Sequence, residues 1–149
     1  MTPYLLDIAE QQFCPGCGVR GRRVKPATLA ALLKPDVEFS DASWRFCRTA
    51  DCPTVYFSGV TSLEASSLTV PVGIKSNHSA RPICYCFGHS AADIKAAAGT
   101  PQSIFQRVSQ ACRRGEDRCE VTNPQGFCCL GDIRVIETRT ELEPSCCSC

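Results

Sequence analysis

The chain is short of the features by which many functions announce themselves. It has no excess of one charge: 16 Lys and Arg stand against 15 Asp and Glu, for a formal net charge of +1. That balance leaves no basic stripe for nucleic acid and no polybasic membrane signal. It has no apolar run of about 18 residues, the length needed to insert a helix into a membrane. The opening Met1-Thr2-Pro3-Tyr4-Leu5-Leu6-Asp7 carries neither the basic nor the apolar stretch of an export signal, so a cytoplasmic location is expected. No Ser/His/Asp set, phosphate-cradling glycine loop or paired-carboxylate constellation is present. Nothing has the form of a group-transfer active site.

Cysteine, by contrast, is abundant: 13 in 149 residues. A disulfide framework and metal ligation compete to explain that density. The number is odd, export is not signalled, and the cysteines fall in close pairs separated by long gaps. In a reducing cytosol such pairs remain thiols and serve metals.

The length suits one ordinary domain or two small ones sharing a modest core. Residues 1–12 read as a leader without chemistry. Residues 13–82 hold two cysteine pairs, an edge strand and a linker. Between the pairs, Ala27 to Leu33 is a short apolar run of one or two helical turns that stops before Lys34-Pro35. Trp44 and Phe46 before the second pair, and Val55-Tyr56-Phe57 after it, read as two short strands flanking a knuckle. Leu68 to Ile74 alternates with period two, which predicts a strand that Pro71 confines to an edge. Residues 83–138 form a helical block. Ser90 and Asp93 suggest a capping box for a helix ending at Gly99. Pro101 is expected to start a second helix, with Ile104, Phe105 and Val108 on one face and Cys112 a turn beyond. A third, short helix follows Cys128-Cys129, with Leu130, Ile133 and Ile136 at spacing three. Residues 139–149 are a polar, cysteine-rich tail.

Cys14-x2-Cys17 and Cys47-x4-Cys52 supply four thiolates from two knuckles, with Gly16 and Gly18 permitting the tight turn of the first. Four thiolates in tetrahedral array suit a structural Zn2+. The looser second spacing also leaves open iron in a rubredoxin-like site.

Cys84-x-Cys86 is different. Its two sulfurs strain to reach one tetrahedral zinc but suit one iron of a two-iron cluster, for which Cys119, Cys128 and Cys129 supply further thiolates. A resemblance sharpens this reading. The stretch from Ile83 to Ile94, ICYCFGHSAADI, resembles the opening of the helical [2Fe-2S] domain of bacterioferritin-associated ferredoxin. Residues 119–132, CEVTNPQGFCCLGD, resemble the N-terminal region of CopZ-type copper chaperones, in which a zinc domain precedes that cluster domain. The likeness extends from Cys14 to about Ile136 and includes Val70 to Lys75. It implies an α+β chain, with a small zinc-ribbon-like β domain followed by a small helical [2Fe-2S] domain. It implies zinc on Cys14, Cys17, Cys47 and Cys52, and a cluster on Cys84, Cys86, Cys119 and one of Cys128 or Cys129. Cys129 is favoured, since it precedes a helix whose positive end would meet its thiolate. One departure stands out. The copper domain of those chaperones, with its Met-x-Cys-x-x-Cys loop, is lacking, and Cys146-Cys147-Ser148-Cys149 stands in the tail instead.

Cys112 reads as a small core residue. Cys146, Cys147 and Cys149 read either as a site for a soft ion such as Cu(I) or Hg(II), as a thiol-exchange group, or as an unselected end. His78 and His89 read as solvent-exposed or outer-shell residues. Arg113, Arg114 and Arg118 would raise the cluster potential, receive an acidic partner, or form a solvated face. Three functions follow. One is reduction of Cu(II) to Cu(I) by the cluster, with the product held or handed to a copper-transporting ATPase or metallochaperone. The others are ferredoxin-like electron transfer to a redox partner protein, and soft-metal sequestration by thiols.

Overall fold

The computed structural model describes residues 12–40 and 43–142. The leader up to residue 11 and Cys146, Cys147 and Cys149 lie outside the described residues. The chain is mixed α and β, as the sequence implies. Its first part is a four-stranded antiparallel sheet, β1 (Arg22–Val24), β2 (Trp44–Phe46), β3 (Thr54–Ser58) and β4 (Thr61–Glu64), in the order β1-β2-β3-β4. Between β1 and β2 runs helix α1 (Pro26–Leu32), with proline in its first turn, where the missing N–H costs nothing.

β2 and β3 flank the second cysteine pair as expected. Phe46 faces Tyr56 across the ladder, and their rings meet edge to face with centroids 5.8 Å apart. With Trp44, Leu29, Leu33, Val55, Leu68 and Val72 they form one apolar core. Phe57 points to the other face of the sheet and packs against Cys14, Cys47 and Cys52. Tyr56 and Phe57 thus face opposite sides of the sheet, while Val55 joins the core beside Tyr56 at a register shift in the β3–β4 ladder.

The segment from Leu68 to Ile74 departs from expectation. Leu68 makes an isolated bridge to Leu33, and Gly73–Lys75 is a 3-10 turn, so no edge strand forms there. Leu68 and Val72 are buried because the loop drapes them over the core rather than pairing them with a ladder. Pro71, which lacks an N–H, offers its carbonyl to the Tyr85 hydroxyl at 2.6 Å.

The second part opens on a short antiparallel ribbon, β5 (Pro82–Cys84) with β6 (His89–Ser90), which feeds α2 (Ala91–Ala97). The capping box is present in both directions: Ser90 Oγ accepts from Asp93 N, and Asp93 accepts from Ser90 N. Helix α3 (Ile104–Arg113) starts three residues later than expected, because Ser103 and not Pro101 caps it, accepting from Gln106 N. A single turn, α4 (Cys119–Thr122), precedes α5 (Leu130–Leu142). The last helix is not short. It runs to Leu142, and the buried Glu137 carboxylate accepts Phe105 N–H in the first turn of α3, anchoring one helix on the positive end of the other. Ile83, Cys84, Ile94, Ile104, Val108, Cys129 and Ile133 form the core here.

The two parts meet along α1 and α4. Tyr56 Oη donates to Pro124 O at 2.5 Å, Thr28 Oγ1 to Glu120 O at 2.6 Å, and Arg48 pairs with Asp132 at 3.0 Å. The Arg22 guanidinium stacks 4.0 Å from the Phe127 ring centroid. Among the described residues no helix is long and apolar enough to cross a membrane.

Candidate metal centres

The structure brings Cys14, Cys17, Cys47 and Cys52 together, with all four sulfurs within 4.8 Å of one another. Cys14 and Cys17 come from the turn before β1. Gly18, with φ +75, reverses the chain there, and Gly16 N–H points back at Cys14 Sγ over 3.3 Å. Cys47 follows β2, and its N–H bonds to Val55 O, so the β2–β3 ladder sets its position. The Sγ separations are 3.8 Å for Cys14 and Cys52 and 3.6 Å for Cys17 and Cys47. A Zn–S bond of about 2.3 Å gives roughly 3.8 Å between sulfurs in a regular tetrahedron, so the donor set fits zinc.

The Thr49 hydroxyl lies 3.2 Å from Cys17 Sγ and is the main cause that lowers this thiol to about 6. Burial pushes Cys47 up to about 12. Lys75 completes the shell by donating to Thr49 O at 2.7 Å and Cys52 O at 2.9 Å, clamping the second knuckle from outside. Lys75 was not singled out in the sequence as a residue of this site. It sits 23 residues beyond Cys52, in a segment whose pattern reads as a strand.

The second group is drawn from four separate places: Cys84 at the end of β5, Cys86 in the ribbon turn, Cys119 opening α4, and Cys129 just before α5. Cys129 bonds to both Cys84 and Cys119. It donates, which lowers Cys119 to about 6 and Cys84 to about 7 while its own thiol is held far up. Cys86 Sγ lies 3.4 Å from Cys119 Sγ. Cys86 also receives Arg118 N–H at 3.1 Å and sits 3.1 Å from Thr122 Oγ1. Cys84, Cys119 and Cys129 are buried, and Cys86 is half-exposed. Unlike the first group, these thiols do not bring three donor atoms all within 4.8 Å of one another, so a single zinc does not fit them as it fits the first group.

Cys128 turns the other way. Its sulfur lies 3.8 Å from that of Cys112, and the pair borders the second group closely enough that Cys119 acts electrostatically on both. His78 accepts Ala80 N–H through Nδ1 in the turn before β5, and burial lowers His89 in β6. Arg114 pairs with Glu116 at 2.8 Å, while Arg118 acts on Cys86 through its backbone.

Residues 11–68 match a protein family described as a zinc binding domain, which takes in all four cysteines of the first group. The chain is 30% identical over 118 residues to the copper chaperone CopZ of Archaeoglobus fulgidus, a match covering 78% of this chain and 57% of that protein. It thus spans little more than half the length of that relative. The chain is similar to the X-ray structure of the Archaeoglobus fulgidus CopZ N-terminal domain, with a TM-score of 0.69 and 28% identity, over 83% of this chain and 96% of that one.

Proposed function

We propose that the chain is a cytoplasmic copper-handling protein with a structural zinc on Cys14, Cys17, Cys47 and Cys52 and a [2Fe-2S] cluster on Cys84, Cys86, Cys119 and Cys129. Residues 13–82 would then be the zinc unit and 83–138 the cluster unit. The observation that carries this reading is the placing of Cys84, Cys86 and Cys129 around one helical core with Cys86 Sγ 3.4 Å from Cys119 Sγ, outside the segment matched as zinc binding and within a chain similar to the CopZ N-terminal domain.

When bound, the cluster supplies a one-electron couple. The protein's own residues decide how that couple is used. Buried Cys84, Cys119 and Cys129 keep three of the sulfurs from water, while half-exposed Cys86 forms the rim at which a substrate ion approaches. The Arg118 amide and the Thr122 hydroxyl stabilise negative charge on Cys86 Sγ, which favours the reduced state and raises the potential. The substrate is Cu(II). With a cluster held by these four thiols, Cu(II) reaching this rim would take up one electron, an electron donor of the cell would return it, and the Cu(I) would pass to thiols of this chain, to a copper-transporting ATPase or to another metallochaperone.

The test is a metal and sulfide analysis of anaerobically purified full-length protein, followed by mixing the dithionite-reduced form with Cu(II). About two irons, two sulfides and one zinc per chain are expected, with visible bands that bleach on reduction and return as Cu(I) forms. Two zincs without sulfide would overturn the cluster. An intact cluster that Cu(II) does not reoxidise would leave an electron-transfer module for a protein partner.

A further inference from the structure

We propose that Cys112 and Cys128 form a third metal position, a two-thiol site for a soft monovalent cation such as Cu(I). It goes beyond the reading above and needs no electron from the cluster. The two sulfurs lie 3.8 Å apart, the same separation as Cys14 and Cys52 in the four-sulfur group. In both places two thiols face one another at the distance from which a metal can bridge them. The pair is not an accident of neighbouring sequence. Cys112 sits in the last turn of α3 and Cys128 in the loop before α5, 16 residues on, so the packing of the helices sets the spacing.

Three features separate this pair from a zinc site and from plain core packing. Both residues are only partly buried, so an ion can reach them from solvent. Among the described residues, no third His, Cys or carboxylate joins them in a group with all donor atoms within 4.8 Å, whereas zinc is held by four donors. Soft thiolates favour Cu(I), and two donors are too few to close a zinc site. The Asp117 carboxylate also acts electrostatically on both sulfurs, placing negative potential where a cation would sit. On uptake two S–Cu bonds form, two S–H bonds break, and the two protons go to solvent. No oxidation state changes.

Cys128 adjoins Cys129 in the chain, so the site lies one residue from the proposed cluster unit yet shares no sulfur with it. The experiment uses the full-length, zinc- and iron-loaded chain with C146S, C147S and C149S. It is titrated anaerobically with Cu(I) against the chromophoric chelator bathocuproine disulfonate. This background should retain one equivalent of Cu(I) with two sulfur neighbours by X-ray absorption. Adding Cys112→Ser, or separately Cys128→Ala, should weaken retention by more than the roughly hundredfold that loss of an outer-shell partner costs. Zinc content and visible spectrum report on folding in each variant. Unchanged Cu(I) affinity in both variants would overturn the site. So would Cu(I) uptake matched by release of zinc or bleaching of the cluster.

Discussion

The two cysteine groups are embedded in opposite ways. In the sheet, Cys14, Cys47 and Cys52 cluster with Phe57 apart from the apolar core of Leu29, Trp44, Phe46 and Tyr56. In the helical part, Cys84 and Cys129 belong to the core itself, packed with Ile94, Ile104 and Ile133. The first group is a staple at the edge of a core that has its own hydrophobic contacts. The second is part of what holds its helices together. Burial does not separate them, since each group buries three thiols and leaves the fourth partly exposed. What separates them is what packs on the sulfurs: the Phe57 ring in the first group, the isoleucines that join the helices in the second.

The largest test of that contrast is Cys47→Ser. It breaks a closed donor set whose metal is worth about 10–16 kcal/mol of folding free energy in zinc-finger peptides. Purified protein should lose nearly all its zinc, and the sheet should melt well before the helical part. Full zinc occupancy with an unchanged melt would remove the staple from the picture.

Next come two core truncations that ought to behave differently. Phe46→Ala should cost about 3–5 kcal/mol and leave zinc content intact, because its ring packs on Tyr56 and not on the sulfurs. Ile133→Ala should cost about 2–5 kcal/mol and also hasten iron loss to a chelator, because it shares a core with Cys84 and Cys129. Denaturant melts alongside metal release will show whether the effects divide this way. If both truncations release metal equally, the contrast fails.

A smaller effect is expected from Thr122→Val, which removes a hydroxyl from beside Cys86. A hydrogen bond worth about 1 kcal/mol corresponds to a fall of roughly 40 mV in a one-electron potential, readable by film voltammetry. The smallest concerns pH. The Thr49 hydroxyl holds Cys17 at about 6, below its ordinary 9.0. A depressed thiol keeps the stability of its thiolate above the ordinary value and loses it as pH falls through the depressed one. Thr49→Val raises that value, so zinc should be released at a higher pH during acid titration. An unshifted release curve would show that the hydroxyl is not what favours the thiolate.

Local signals carried much of the architecture. Ser90 and Asp93 announce their helix because a capping box is a contact between residues three apart. The aromatics around Cys47 and Cys52 announce β2 and β3 because a knuckle needs two strands to hold it. The signal failed where a distant partner decided the outcome. Leu68 to Ile74 has a strand's alternation but pairs only through the single Leu33–Leu68 bridge, and its buried residues cover the core instead. Pro101 looks like a helix start, yet Ser103 has the oxygen that satisfies a free amide. The docking of α5 on α3 runs through Glu137 and Phe105, 32 residues apart, which no local pattern announces.

The sequence alone determined that this is an α+β chain built on paired cysteines, because pair spacing and turn residues are local and thiolate chemistry is intrinsic to the residue. Which thiols meet was decided by tertiary structure. Cys128 and Cys129 are adjacent and chemically identical, and only the path of the chain into α5 turns one toward Cys84 and Cys119 and the other toward Cys112. Lys75 likewise becomes a clamp on the zinc knuckle only because the loop after the sheet folds back across it. Donor type is written in the residue, whereas donor geometry requires the chain to be closed upon itself.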